Sequence, residues 1–325
     1  MGESLLSLIA VLISIFLAMN IGASNSAAEM AAAYGAGVRT KRQAVILIAI
    51  FALLGAVIKG DEVIKTLGKG LIPEEIFIQS FATVFIILLV TTIFILFANI
   101  LRTPIATTHA IVCSLIGVGL YYGQLNGAKV RYIIIWWVAT PLISFILNYL
   151  VGKYLYFRIL DFLTRLGSED KIRKVLGILI TVSGCYMAFS AGTNNAANAV
   201  GPIVGANIVS PFTGAIIAGM GMSIGALLFG GRILDAVGKG ITDIGIVRAI
   251  FVETIGATLI LVASIFGIPV SLNETVTSGI IALSCASSGF RKTARNEHVI
   301  RIAFFWLFAP FLAVGISYLL TKWIM

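Results

Sequence analysis

Long apolar runs separated by short polar interruptions make up almost the whole chain. They lie at about 4–36, 43–59, 76–101, 104–121 and 130–151, and again at about 175–209, 212–229, 244–266, 268–286 and 302–323. A polar stretch from Lys153 to Lys174 separates the two sets. A membrane helix needs roughly 20 apolar residues, so the pattern predicts an all-α polytopic membrane protein. Its expected organisation is a first transmembrane repeat at 1–152, a cytoplasmic linker at 153–174 and a second repeat at 175–325.

The second set reads as a copy of the first. GDEVIKTLGKGLI from Gly60 matches GGRILDAVGKGIT from Gly230, 170 positions later. At the same offset, GASNSAAE from Gly22 lies over GTNNAANA from Gly192. Slightly shifted, TPIATTH from Thr103 pairs with IPVSLNE from Ile268. Five spans per copy is an odd number and sets the copies in opposite orientations. The expectation is therefore two inverted repeats of about five segments each, with the substrate held between them near the membrane centre.

Composition agrees with this plan. Of 325 residues 59% are hydrophobic and 11% charged, with a mean hydropathy of +1.05. A soluble domain carries about 25% charged residues, so soluble, disordered, coiled-coil and fibrous classes are excluded. The net charge of +9 would suggest nucleic acid in a soluble protein; here it bears on orientation. With both termini outside, 17 Lys and Arg fall inside, including Arg39, Lys41, Arg42, Arg232, Lys239, Arg248, Arg291 and six in the linker. Six fall outside: Lys59, Lys65, Lys69, Lys129, Arg131 and Lys322. This predicts a multi-pass protein of the inner (plasma) membrane whose N-terminal segment, lacking a basic leader region, is the first span. Cys113, Cys185 and Cys285 lie in apolar runs and read as packing thiols, without metal or disulfide spacing.

Two matched segments depart from ordinary spans. Residues 4–36 and 175–209 are too long for one straight crossing and too short for two, and their second halves are rich in Gly, Ser and Asn. Helix breaks are expected at Gly22 and Gly192, where freed backbone groups would meet a ligand. The alternative is that small residues merely allow close helix packing. A second pair of breaks is expected at Pro104 and Pro269, with helices starting at once after them. Helix starts inside the membrane present unpaired N–H groups and the positive end of the dipole, an anion site that needs no Lys or Arg. Ser24, Asn25, Ser26, Thr107, Thr108, Asn194, Asn195 and Ser271 would supply the remaining donors. Within the spans, the ionisable candidates for ion coupling are Glu29, His109, Glu274 and Glu253. For Glu253 and His109 a structural hydrogen-bonding role stands beside coupling.

At these residues the chain resembles the inorganic phosphate transporter (PiT) family, whose duplicated GANDVANA signature is followed in each half by a P-[VI]-S-T-T-H-type segment. GTNNAANAVGP from Gly192 and TPIATTH from Thr103 are close to it, and the resemblance covers nearly the whole chain. It implies an ion-coupled transporter of tetrahedral oxyanions. The family's Asp falls on Asn25 and Asn195, its Asn positions in the first copy on Ser24 and Ala28, and its second Thr-Thr-His on Leu272, Asn273 and Glu274. AMNIGAS, GIPVS and FSAGTNNAANAVGP look instead like the sulfate permease branch.

Charge chemistry points the same way. Phosphate keeps a proton at neutral pH and can donate it to a carboxylate, whereas sulfate carries none and is repelled by one. Two Asp-to-Asn differences remove that repulsion and keep amide donors. They also remove the obvious carboxylate ligands for sodium, which favours protons, although carbonyls and hydroxyls alone can hold sodium. The expected function is thus sulfate import by proton symport with alternating access. Sodium- or proton-coupled phosphate transport and a passive anion channel are the alternatives. The expected partners are sulfate or phosphate and the lipid bilayer, with a homodimer left open and nucleic acid excluded. No cofactor beyond a co-transported proton or sodium is expected, and no resident metal site. No HExxH, P-loop or Ser/His/Asp arrangement is readable, so an enzyme is not expected.

Overall fold

The computed structural model describes residues 2–101, 106–165, 167–235 and 245–325, the side chains at 2–3 and 97–101 excepted. Helix α1 (Gly2–Gly35) leads through a tight turn into α2 (Lys41–Lys59), which opens on a capping box of Thr40 and Gln43. A short half-buried unit follows, α3 (Asp61–Lys65), which widens into a π-helical turn at Thr66–Gly70. Then come α4 (Glu74–Gln79), α5 (Phe81–Leu101), α6 (Thr107–Tyr122) and α7 (Gly127–Leu150). A π-helical turn at Val151–Leu155 joins α7 to α8 (Tyr156–Thr164). The second half holds α9 (Glu169–Gly205), α10 (Pro211–Gly225), α11 (Ile246–Ile265), α12 (Leu272–Ser288), α13 (Phe290–Ala294) and α14 (Glu297–Ile324). Among the described residues, seven helices are long and apolar enough to cross a membrane. The fold is all-helical and polytopic, as the apolar pattern predicts.

The 170-residue spacing recurs in the backbone. α1 ends at Gly35 and α9 at Gly205; α2 starts at Lys41 and α10 at Pro211; α7 starts at Gly127 and α14 at Glu297. The caps match too, Thr40 with Ser210 and Asn126 with Asn296. After α1 the turn is closed by Gly37 N–H to Tyr34 O (2.9 Å) and Val38 N–H to Ala33 O (3.0 Å). After α9 the same bonds run from Asn207 to Val204 (3.0 Å) and from Ile208 to Ile203 (3.0 Å). Both turns need a left-handed residue, Gly37 at φ 67° and Asn207 at φ 55°, and asparagine is the non-glycine residue that tolerates this best.

Packing between the halves is reciprocal. α1 lies along α10 and α2 along α9, while α6 lies along α14 and α7 along α12. At the first pair of contacts the Cα of Gly22 abuts the backbone of Met222, and Gly225 that of Met19. At the second, Gly192 abuts Ala52 and Gly55 abuts Phe189. Each of these contacts maps onto another at an offset of 170. α1 and α9 run antiparallel, since Glu29 abuts Gly184 while Val38, beyond the end of α1, abuts Gly177.

Two sequence expectations are corrected. Helices α1 and α9 are continuous through Gly22 and Gly192, so neither glycine breaks its helix. A Cβ at either position would overlap a neighbouring carbonyl, so these glycines serve close backbone packing; glycine costs a helix about 1 kcal/mol, which such packing offsets. At 1.5 Å per residue both helices exceed the roughly 30 Å hydrocarbon core, and each is one continuous helix long enough for a single crossing. The linker at 153–174 carries helix at 153–164 and 169–174. Second, the expected break at Pro269 is present at 266–271, but the next helix does not follow at once: α12 starts only at Leu272, capped by the Ser271 hydroxyl. Proline lacks the N–H and restricts the residue before it, which suits an extended approach to a helix as well as a first turn. Pro104 and Lys239 lie outside the described residues. The three cysteines are buried and free, as expected of packing thiols.

Candidate anion site

α6 and α12 have 16 and 17 residues, about 25 Å each and shorter than the hydrocarbon core. Their N-terminal ends are buried in protein. Thr107, Thr108 and His109 form the first turn of α6, and all three are buried. Their amides have no acceptor within the helix, and the N-cap, Ala106, offers no side-chain acceptor.

The middle of α9 holds these helix starts together. Asn194 donates from Nδ2 to Ser264 Oγ (2.9 Å) and to the Ile268 carbonyl (3.0 Å), and its Oδ1 accepts the Val270 N–H (3.0 Å). One amide thus satisfies the backbone freed by the break before α12. One turn on, Asn198 Nδ2 donates to Thr108 Oγ1 (3.1 Å) and Thr107 Oγ1 (3.3 Å), and lies 3.4 Å from Asn195 Oδ1. Thr108 in turn donates to the Val270 carbonyl (3.0 Å), and Thr193 to Ser264 Oγ (2.9 Å). The α6 start, the 268–271 break and α9 therefore form one buried network. Asn198 Oδ1 has no partner in it.

Two ionisable residues close the network on the α12 side. His109 Nδ1 lies 3.2 Å from Glu274 Oε1. The Trp137 ring covers the imidazole at 3.8 Å between centroids, and its indole N–H donates to the Pro269 carbonyl (2.9 Å). His109 Nε2 is buried without a partner.

α1 contributes differently. Asn25 and Glu29 share one face and are buried, yet Asn25 Nδ2 and both Glu29 carboxylate oxygens have no partner. Ser24 and Ser26 donate to their own helix, at the carbonyls of Ile21 (3.0 Å) and Gly22 (3.1 Å). Ser26 packs against Gly230. Ser271 uses its oxygen to cap the Glu274 N–H (3.2 Å). Glu253 stands apart: it accepts from Ser183 Oγ at 2.5 Å, and Ser183 lies 11 residues before Asn194 on α9, about 16 Å along the helix.

Of the residues singled out in the sequence, the network thus joins Thr107, Thr108, His109, Asn194, Asn195, Ser271 and Glu274. Asn198, Ser264 and Trp137 belong to it but are not among those candidates. Asn198 was legible as the residue one helical turn from Asn194; Ser264 and Trp137 carry no local signal. The donors are amides, hydroxyls and backbone N–H groups, a set suited to an oxyanion.

Comparison with known proteins accords with this architecture. The model of the phosphate transporter family matches residues 21–317. The sulfate permease CysP of Bacillus subtilis is 39% identical over 98% of this chain and 88% of its own length. The chloroplastic inorganic phosphate transporter 2-1 of Arabidopsis thaliana is 23% identical over 98% of this chain and 73% of its own. A solved structure, the sodium-dependent phosphate transporter, superposes with a TM-score of 0.82 at 24% identity, covering 98% of this chain and all of the other. Helices, family signature and whole-length similarity converge, and the chain belongs to the phosphate transporter family of membrane permeases.

Proposed function

We propose that the protein imports sulfate by ion-coupled symport, with the proton as coupling ion and alternating access between two inverted repeats. The observation that carries the substrate is the pair of buried amides, Asn25 and Asn195, at the positions where the family signature has Asp. Each removes a charge that a fully ionised dianion would meet, and Asn25 Nδ2 is an unused donor. The likeness to a sulfate permease at 39% identity supports the same choice. Inversion is supported by the antiparallel course of α1 and α9 and by the reciprocal glycine contacts. Both termini lie outside in this reading. In support, Arg39 bonds Thr181 Oγ1 (2.9 Å), which sets the basic turn at 37–42 at the same end of α9 as the linker.

The test is uptake of radiolabelled sulfate into proteoliposomes holding the full chain, with excess phosphate as competitor. Saturable sulfate uptake that phosphate inhibits poorly is expected; phosphate uptake without sulfate overturns the substrate. A passive channel would instead carry sulfate current with no dependence on an imposed proton gradient.

A further inference from the structure

The matched positions 109 and 274 meet each other. In the paired segments TPIATTH and IPVSLNE, His109 and Glu274 occupy the same place, third residue of α6 and of α12. They stand 3.2 Å apart in the protein interior. Each copy thus contributes one half of a single pair that bridges the two helix starts. We propose that this pair is where the coupling proton rides; the inference rests on reading the site as that of an oxyanion transporter.

Proton balance gives the mechanism. With the coupling proton absent, Glu274 is a carboxylate and His109 is neutral with its Nδ1–H toward Oε1, so the pair carries one negative charge. Nε2 then holds a lone pair and can only accept. One proton entering from the outer solution makes the pair neutral overall: it arrives at Nε2 while the Nδ1 proton passes to Glu274, leaving a neutral carboxyl that donates to Nδ1 and a neutral imidazole with its N–H at Nε2. That nitrogen is buried with no partner and belongs to the same helical turn as Thr107 and Thr108. A bare carboxylate at the α12 start opposes a dianion at the α6 start; the protonated pair does not. Sulfate and proton therefore raise each other's affinity by the same factor. The Trp137 ring packs against the imidazole and holds it in place.

Other titratable groups around the pair are few. Cys113 lies one turn along α6, within electrostatic reach of Glu274. α1, packed against α12, brings Glu29. α11 brings Glu253, but its bond to Ser183 places it toward the other end of α9. Neither glutamate has an imidazole partner, which leaves His109–Glu274 as the buried carboxylate–imidazole pair among the described residues.

The experiment compares two readouts in the same proteoliposomes: sulfate exchange at equal pH, and sulfate accumulation driven by an inward proton gradient. For Glu274→Gln, accumulation should fall at least tenfold further than exchange does. An unchanged ratio of accumulation to exchange overturns the proposal, as does wild-type accumulation driven by sodium at symmetric pH. Should Glu274→Gln not fold, His109→Gln decides by the same ratio. Should neither exchange sulfate, the wild type decides: sulfate added to purified protein in weak buffer must take up protons, and no alkalinisation refutes the pair. If the vesicles carry phosphate and not sulfate, the substrate reading fails by itself, and the ratio measured with phosphate still decides the role of the pair.

Discussion

Helices α1 and α9 occupy matched places at the 170-residue offset, yet their polar faces are used differently. On α9, Asn194 and Asn198 are committed to the break before α12 and to the start of α6. The matched positions on α1 are Ser24 and Ala28, which reach neither. In their place α1 buries Asn25 Nδ2 and the Glu29 carboxylate with nothing bonded to them. Buried polar groups without partners cost about 1–3 kcal/mol each, so the second copy builds a scaffold and the first holds polar groups in reserve. The difference suggests a division of labour: α9 fixes the two helix starts, and α1 meets the ligand.

The most severe challenge to this pairing is steric. Gly22→Val and Gly192→Val should each abolish folded protein in detergent, since inserting atoms into packed interiors costs about 1–3 kcal/mol or more and here the obstacle is backbone. If size-exclusion chromatography shows one variant folded and the other not, the reciprocity of the two contacts is superficial. Next comes Asn194→Ala, which strips partners from Ser264, Ile268 and Val270. It should lower stability by about 3 kcal/mol or more, at about 1 kcal/mol per lost bond plus the unpaired groups left behind. Asn25→Ala should behave oppositely: it removes an unpartnered buried amide, so stability should not fall, while sulfate uptake is strongly reduced. Equal thermal shifts for the two would erase the proposed division.

A subtler change is Asn25→Asp, which restores the family's charge. Sulfate uptake should fall about tenfold, equivalent to about 1.4 kcal/mol; uptake equal to wild type would remove the electrostatic basis for sulfate. The smallest effect concerns the surface. Asn207 and then Lys69 hold the Glu74 carboxyl below its usual range, so their contact contributes stability above the unfolded pKa of about 4.3. That contribution disappears as pH falls through the lower folded value. Asn207→Ala should therefore narrow the stability difference between pH 7 and pH 3 only slightly, measured by thermal melts, because exposed pairs contribute little.

The duplication was legible at residue level because two of the three matched motif pairs keep one spacing, and the turns at Gly37 and Asn207, the caps at Asn126 and Asn296 and the ends of α1 and α9 follow it. The break before α12 and the two buried helix starts were legible from prolines followed by Ser, Thr and Asn. Glycine was read wrongly. Its absence of a side chain permits either a break or a close approach, and only the backbone of Met222 or Ala52 lying beside it decides between them. For the same reason Ser24 and Ser26, donors by composition, turned out to be bonded within their own helix.

Apolar length and low charge alone determined that this is a helical membrane protein, since a chain so poor in charged residues cannot cover its surface in water. Spacing alone determined the duplication. Which polar side chains are satisfied and which are held in reserve depends on where segments distant in sequence arrive. Asn194 meets Val270, Asn198 meets Thr108, and His109 meets Glu274 across intervals of 76, 90 and 165 residues. Hydrogen bonds act over about 3 Å, so the partnering of these residues is a property of the tertiary structure.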